Sequence, residues 1–171
     1  MGLGGRAMIE LMPMTRERMR AFYRGFVYDP DIFTDMELFE RLKESPYNEE
    51  KVDALFDRRS REEDRVFFAV MLDGRVIGEV GFKHIDRERK DCELSINMQN
   101  DFVKNRGYGT EAERQAVRYA FERLGMESVR AETVLKNARS RHVLEKLGFV
   151  PEGERDGFRL YRLTREDWDM G

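Results

Sequence analysis

The segment from Lys104 to Thr110, Lys-Asn-Arg-Gly-Tyr-Gly-Thr, constrains this chain more than any other because it lies between a strand-like run and a strongly helical one. Glycine accepts positive φ and has no Cβ, so Gly107 and Gly109 let the backbone approach a ligand closely. The helix that follows adds free N–H groups and the positive end of its dipole, which favour an anion. The pattern therefore predicts a site for a phosphate-bearing cofactor.

Hydrophobic periodicity, capping residues and turn signals divide the rest of the chain into alternating elements. Predicted helices cover residues 15–26, 31–43 or 34–43, 48–59, 110–124 and 137–147, with Thr15 and Asn137 as caps and with Thr110 and Glu113 at capping-box spacing. Predicted strands cover residues 10–14, 65–72, 75–83, 91–98, 128–134, 149–154 and 158–163. The turn at Asp73-Gly74 makes the middle strands an antiparallel meander. We expect an α/β (α+β) fold, a single domain over residues 1–171 with a mixed, mostly antiparallel sheet flanked by helices.

Composition excludes several classes of function. A net charge of −3 argues against nucleic-acid binding, which needs a basic face. Cys92 is the only cysteine and the chain has two histidines, so we expect neither a disulfide nor a metal site. The longest apolar run, residues 66–72, is too short to span a bilayer, and the first six residues lack a signal-peptide apolar segment. We expect a cytoplasmic protein with no membrane partner.

Gly107-Tyr108-Gly109-Thr110-Glu111-Ala112 also fits the dinucleotide fingerprint G-x-G-x-x-[G/A], with Glu132 as the matching acid. The context argues against a nucleotide-binding oxidoreductase. Residues 99–106 separate the preceding strand from the first glycine, and that strand is predicted to be paired in hairpins rather than parallel. The chain also has too few residues after the motif for a doubly wound sheet.

Two motifs in order carry a different resemblance. The first is Lys104-x-x-Gly107-x-Gly109, and the second is Asn137-Ala-Arg-Ser followed by Leu-Gly-Phe at residues 147–149 and Glu-Gly at residues 152–153. They resemble the pyrophosphate loop, [Gln/Arg]-x-x-Gly-x-[Gly/Ala], and the second signature of the GNAT superfamily of acyl-CoA N-acyltransferases. The subgroup is similar to ribosomal-protein N-terminal and spermidine acetyltransferases. The resemblance covers roughly residue 66 to the C-terminus.

The resemblance implies acetyl-CoA as co-substrate, and it implies which residues bind it. The loop would hold the pyrophosphate, the backbone near the end of the 91–98 strand would bind the pantetheine arm, and the second motif would orient it. Lys104 replaces the more usual Gln or Arg, and Asn105 stands where relatives often have Gly. The implied cofactor-binding residues are Asn97, Met98, Gln99, Lys104, Asn105, Arg106, Gly107, Tyr108, Gly109, Thr110, Asn137 and Arg139.

Candidate catalytic residues come from strand alternation and from the resemblance. Alternation places Glu93, Ser95 and Asn97 on one face of their strand, opposite Cys92, and a turn near Arg87 would bring Glu79 to that same face. Either Glu93 or Glu79 is a candidate base for an amine, directly or through water. Cys92 points away, which argues against an acyl-cysteine.

The general acid is less defined by the sequence. Many GNAT enzymes have a Tyr acid where this chain has Leu144, while Ser140 matches a Ser that the similar subgroup is proposed to use. Hydrogen bonding of Ser140 to its own helix is the alternative. Tyr161 is a reserve acid, with packing as its alternative.

We therefore predict an N-acetyltransferase that moves acetyl from acetyl-CoA to a primary amine, a peptide N-terminus or a small-molecule amine, by direct attack in a ternary complex. The alternatives are a non-catalytic CoA-binding or regulatory module and the nucleotide-binding oxidoreductase. Residues 1–64 would form the acceptor side and residues 65–171 the acyl-CoA-binding core. The sequence leaves the acceptor and the oligomeric state open, a homodimer among the options.

Overall fold

The computed structural model describes residues 8–171. The prediction about a signal peptide concerns residues outside this range. The strands are β1 (Ile9–Pro13), β2 (Val66–Leu72), β3 (Arg75–Asp86), β4 (Asp91–Met98), β5 (Ser128–Val134), β6 (Val150–Arg155) and β7 (Phe158–Thr164). The helices are α1 (Arg16–Arg24), α2 (Met36–Leu42), α3 (Glu49–Arg61), α4 (Tyr108–Glu122), α5 (Ala138–Lys146) and α6 (Arg165–Met170). Short 3₁₀ turns lie at Pro30–Ile32 and Asp101–Val103.

The seven strands form one sheet in the order β1-β2-β3-β4-β5-β7-β6. The pairs β1–β2, β2–β3, β3–β4, β5–β7 and β6–β7 are antiparallel, and β4–β5 is parallel. Helix α4 provides the crossover that a parallel pair requires. The predicted mixed, mostly antiparallel sheet is confirmed.

Side chains alternate between the two faces of the sheet, and each face has its own core. On β2, Val70 faces the larger cluster, which includes the apolar stripe of α4, while Ala69 and Met71 face a smaller cluster with Met19 of α1 and Val52 of α3. Strand alternation makes this two-sided burial possible. The sheet therefore separates an α4 side from an α1–α3 side.

The parallel pairing between β4 and β5 is short. It joins residues 91–94 of β4 to residues 128–131 of β5 and stops at Leu94 and Ala131. Residues 95–98 continue to pair with β3 on their other side. Beyond Leu94 the two strands separate, and this opening positions the candidate site.

Several boundaries differ from the sequence prediction. Helix α4 begins at Tyr108 rather than Thr110, and Gly107 is its N-cap. The capping box of Thr110 and Glu113 is therefore wrong, because both lie inside the helix. Helix α6 was not predicted; it is six residues long, and its Trp168 ring packs against Phe121.

Candidate functional site

The glycine loop ends in a helix without a side-chain cap. Asn105 and Gly107 both have positive φ, 59° and 82°. A Cβ placed on Gly107 would point into open space, with no atom within 4 Å. Within residues 8–171, the other five α-helices begin with a side-chain oxygen bonded to a first-turn N–H. The first turn of α4 has no such bond. Its N–H groups, together with the helix dipole, suit an external anion.

A pocket of about 620 Å³ lies beside this helix start. Four of the sequence-predicted loop residues border it: Arg106, Gly107, Tyr108 and Thr110. Arg114 and Lys146 add two further cations, although Arg114 is paired with Glu111 at 2.8 Å. The open N–H groups and the surrounding cations give this pocket the chemistry of a phosphate site.

A narrower cavity of about 120 Å³ continues from the loop along the open part of β4. Gly109 forms part of its wall, where a Cβ would lie 3.7 Å from the Met98 side chain. The sequence-predicted residues that border this cavity are Asn97, Met98, Lys104, Gly109, Asn137, Arg139 and Ser140. Most of the remaining wall is apolar, from Phe26, Val27, Ile32, Ile96 and Val143. The cavity suits a slender chain with few polar groups.

The backbone of β4 offers this cavity a free edge, but Gln99 does not contribute to it. The N–H of Gln99 donates to Ile77 at 2.8 Å, and its carbonyl accepts from Val27 at 2.9 Å. The Gln99 side chain donates to the carbonyls of Ala21 and Phe22 at the end of α1. Gln99 therefore ties α1 to the sheet, and Asn97 and Met98 are left as candidate backbone partners for a ligand.

Lys104 and Arg139 converge on one carboxylate at the edge of the narrow cavity. Lys104 Nζ lies 3.1 Å from Asp29 Oδ2, and Arg139 lies 3.9 Å from the same oxygen. Burial raises the pKa of Asp29, but the Asp31 N–H and Lys104 outweigh it, so the pKa is lowered overall. The sequence-predicted cations are thus held by a protein carboxylate, which links the loop to the N-terminal segment.

Asn137 acts as the predicted cap of α5 and also borders the narrow cavity. Its side-chain oxygen accepts from the Ser140 N–H at 3.1 Å. The Asn137 amide group has donor capacity left for a ligand, because an amide NH₂ carries two donors.

On the α1–α3 side of the sheet, Glu79 is buried in a network of donors. Its carboxylate accepts from Arg59 at 3.0 Å, from the Asn97 side chain at 3.2 Å and from the Tyr23 hydroxyl at 3.3 Å. The register pairs Glu79 with Asn97 and Lys83 with Glu93, so the predicted common face of Glu79 and Glu93 is confirmed. Glu79 holds the side chain of Asn97 at the border of the narrow cavity.

Glu93 lies where β4 and β5 begin to separate. It borders a further cavity of about 170 Å³ together with Ser140 and Leu144. Lys83 and His84 each lie 3.8 Å from its carboxylate. The structure thus brings Glu93 and Ser140 together in one cavity, whereas Glu79 lies four residue pairs farther along the ladder from the Glu93 pair, opposite Asn97.

Two groups weighed from the sequence are poorly placed for chemistry. The Tyr161 hydroxyl donates to Glu145 at 2.9 Å, and burial followed by this hydrogen bond raises its pKa. Burial raises the pKa of the Cys92 thiol to about 12, on the face opposite Glu93. A thiol of this kind is not a nucleophile at neutral pH.

Sequence reasoning missed Glu113 as a site residue. It is a buried residue of α4, borders both the narrow cavity and the Glu93 cavity, and its Oε2 atom has no hydrogen-bond partner. Burial raises its pKa to about 8. The signal was present in the sequence, because Glu113 is three and four residues from Ala116 and Val117 on the apolar stripe of α4.

The geometry does not support dinucleotide binding. The strand before the loop, β4, is antiparallel to β3, and a 3₁₀ turn separates it from Gly107. Among residues 8–171, no group of three His, Cys, Asp or Glu side chains could hold a metal ion. In the same part of the chain, no helix has the length and apolar character that crossing a membrane requires.

Comparison with known proteins gives several relatives. YdaF of Bacillus subtilis (strain 168), provisionally named a ribosomal N-acetyltransferase, is 28% identical over 110 residues, which cover 58% of this chain and 60% of YdaF. The match thus spans less than two thirds of that relative. Spermidine N(1)-acetyltransferase of Escherichia coli (strain K12) is 25% identical over 147 residues, covering 85% of this chain and 75% of that one.

A solved structure extends the likeness to nearly the whole fold. Spermidine N-acetyltransferase from Vibrio cholerae in complex with CoA and spermine has a TM-score of 0.73 at 17% identity, covering 94% of this chain and 97% of that one. At this identity the likeness shows the fold alone. The family described as Acetyltransferase (GNAT) domain matches residues 9–150, well over half of the chain. This match confirms the resemblance drawn from the two motifs, and the chain belongs to the GNAT acetyltransferase family.

Proposed function

We propose that this protein transfers an acetyl group from acetyl-CoA to a primary amine by direct attack in a ternary complex. The observation that carries the proposal is the uncapped start of α4, which opens into a cavity along the free edge of β4. A phosphate group suits the former and a slender, mostly apolar arm suits the latter. When bound, acetyl-CoA supplies the activated acetyl thioester.

The chain offers separate groups for each part of the cofactor. The N–H groups of Tyr108, Gly109 and Thr110 would hold the pyrophosphate, with Arg106 beside them in the same pocket. The backbone of Asn97 and Met98 and the Asn137 amide would bind the pantetheine arm. Lys104 and Arg139 would bind phosphate only by exchanging Asp29 for it, because Asp29 is their present partner. Asn105 shapes the loop through its positive φ.

Glu93 is our candidate for the base. It shares a cavity with Ser140 at the opening between β4 and β5, and the side chains of Lys83 and His84 stand 3.8 Å away rather than in direct hydrogen bonds. Its lone pairs can therefore accept a proton from an amine or from a water between them. Glu79, with three donors already on its carboxylate, is a positioning residue that fixes Asn97.

The class of acceptor follows from the relatives only as far as an amine. YdaF is provisionally named for ribosomal acetylation, and the E. coli relative is named for spermidine. We propose a peptide N-terminus or a small-molecule amine for this chain, approaching from the α1–α3 side. The cytoplasmic location and the division into an acceptor side at residues 1–64 and a cofactor core at residues 65–171 stay predictions, although β1 also contributes a strand to the sheet.

Calorimetric titration with CoA and acetyl-CoA, with NAD as the control, tests the cofactor. We expect binding of both CoA forms and none of NAD, and an upward shift in the melting temperature at saturation. A panel of peptide N-termini, polyamines and amino acids then tests transfer. Binding of CoA with no acetylated amine would favour a regulatory module, and binding of NAD alone would contradict the proposal.

The acetyl-transfer assay also distinguishes the roles of Glu93 and Glu79. Glu93→Gln should lower kcat about 100-fold, the low end for loss of a general base, with little change in the Kd for CoA. Glu79→Gln should act mainly through KM for acetyl-CoA, because Glu79 fixes Asn97 beside the path of the pantetheine arm. Equal effects of both substitutions on kcat would contradict this assignment.

A further inference from the structure

Glu113 is a buried acid that the interactions within the fold do not explain. The residue is 4% exposed, and its Oε2 atom is enclosed without a donor or acceptor. Burial alone raises its pKa to about 8, so the carboxyl group is neutral at pH 7. A neutral carboxylic acid carries one O–H donor, and an unpaired buried polar group of this kind is costly.

Glu113 stands at the junction of the two cavities. It borders the narrow cavity that begins at Gly109, and it also borders the cavity that contains Glu93. Ile96 and Ser140 are the other residues that border both. A thioester that followed the narrow cavity toward Glu93 would pass this junction.

Burial sets the protonation state of Glu113, and no charged neighbour shifts its pKa. The charged groups around the two cavities come from β3, β4, β5, α5 and the loops, and they are Asp29, Lys83, Glu93, Lys104, Glu132 and Arg139. None of them forms an ion pair or hydrogen bond with Glu113 Oε2, and none contributes to its pKa, which burial alone sets.

We propose that Glu113, as a neutral carboxylic acid, is the catalytic residue that donates a proton to the CoA thiolate as the thioester breaks. This proposal rests on the acetyltransferase function proposed above. It assigns a role that Leu144, which stands where many GNAT enzymes have a tyrosine, cannot perform. It also leaves Ser140 as a hydrogen-bonding group rather than the acid.

The proton balance of the step closes. The amine nitrogen forms a bond to the acetyl carbon, the bond from that carbon to sulfur breaks, and Glu113 gives its proton to the sulfur to form the CoA thiol. The proton that the amine loses passes to Glu93 or to water. Glu113 regains a proton from solvent after the products leave, so the sum is amine plus acetyl-CoA giving amide plus CoA.

The acidity of the donor also matches the acceptor. A thiol has a pKa of about 8.5, and a proton donor works best when its pKa lies near that of the group it protonates and near the working pH. A serine hydroxyl is a far weaker acid. Glu113 therefore has both the position and the acidity for this step.

Infrared spectroscopy of the whole protein tests contact between Glu113 and the cofactor without an activity assay. We expect the band of a protonated carboxyl group at pH 7, its loss in Glu113→Gln, and a shift of the band when CoA binds. Glu122→Gln, on the exposed end of the same helix, is the matched control and should keep the band. A band that does not respond to CoA would overturn the proposal.

Kinetics with any amine from the panel tests the chemistry. Glu113→Gln and Glu113→Leu should lower kcat about 100-fold at pH 7, with the Kd for CoA changed less than about 3-fold, while Glu122→Gln changes neither. Wild-type kcat should fall above about pH 8 as the acid loses its proton, and both variants should lack this alkaline decline.

Melting curves establish that both Glu113 variants are folded, and Leu offers an apolar side chain in case Gln does not pack. Unchanged kcat and an unchanged alkaline decline in folded variants would overturn the role of Glu113 while the acetyltransferase function stands. A wild-type protein that binds no CoA would instead overturn both proposals.

Discussion

Two buried glutamates on opposite sides of the sheet show how partners decide what an acid can do. Glu79 on the α1–α3 side is 6% exposed and accepts from three side chains, whereas Glu113 on the α4 side is 4% exposed and its Oε2 has none. Burial is nearly equal, so the difference lies in the donors. The hydrogen bonds from Arg59, Tyr23 and Asn97 make Glu79 a structural anchor, while Glu113 keeps its proton and stays available for chemistry.

The largest expected effect concerns the pH dependence of stability. The pKa of Glu113 is raised from 4.5 to about 8 on folding. Its contribution to the free energy of unfolding is therefore fully present below pH 4.5 and is lost as pH rises through 8. The difference in unfolding free energy between wild type and Glu113→Gln should change by on the order of 4 kcal/mol over that interval. Urea unfolding across the pH range measures it.

The comparison with Glu113→Gln cancels the other titrating groups, whose contributions are common to both proteins. Carboxylates with lowered pKa values, such as Asp29, behave in the opposite way: their contribution to stability is lost as pH falls. A constant difference between wild type and variant at all pH values would show that Glu113 is ionised in the folded protein.

The same substitution at Glu79 should have the opposite sign. Glu79→Gln removes the charge that Arg59 faces at 3.0 Å in a largely buried pair, so we expect a loss of about 2 kcal/mol at pH 7. Glu113→Gln should stabilise the protein at that pH. A double-mutant cycle with Arg59→Met isolates the pair, and a coupling energy near zero would remove Glu79 as an anchor.

Two helix caps allow a similar comparison between a residue that only stabilises the fold and one that also borders the narrow cavity. Thr15 caps α1 and Asn137 caps α5, and each accepts from a backbone N–H three residues on. Substitution of either by Ala should cost about 1 kcal/mol of stability. Only Asn137→Ala should also weaken CoA binding, because Asn137 borders the narrow cavity. Calorimetry on both variants measures this, and equal CoA affinity would limit Asn137 to capping.

The smallest effect concerns the loop. Gly107 has a φ of 82°, and a Cβ there would meet no atom within 4 Å. Gly107→Ala should therefore cost only backbone strain, about 1 kcal/mol, with no steric clash. CoA affinity should fall if the loop tightens around a phosphate, and Gly125→Ala, at φ 70° beyond the end of α4, is the control for strain without a ligand.

Much of the fold followed from local patterns. Strands β4 and β5 have the predicted bounds because their alternation is clear, and Thr15 and Asn137 cap helices as predicted. The shared face of Glu79 and Glu93 was predictable because side chains alternate along paired strands. Such features depend on residues close in sequence or on a single turn.

The rest depended on contacts between distant residues. Glu113 offered a local explanation as half of a capping box, and only packing of α4 on the sheet shows that its carboxyl group is buried. The engagement of Gln99 with Ile77 and Val27, and of Lys104 with Asp29, likewise joins segments that no local pattern connects. Sequence-based reasoning named these residues without their partners, and the partners decide their roles.

The short parallel seam between β4 and β5 also bears on how the chain folds. Four residue pairs join the β2–β3–β4 meander to the β5–β7–β6 group, and the seam closes only after the chain crosses over through α4. The hairpins on either side need far smaller loops, so we expect them to form before the seam does. In native-state hydrogen exchange, the amides next to the opening should then exchange earlier than those of the hairpins. The gap that we propose for the cofactor is, on this view, also the last part of the sheet to assemble.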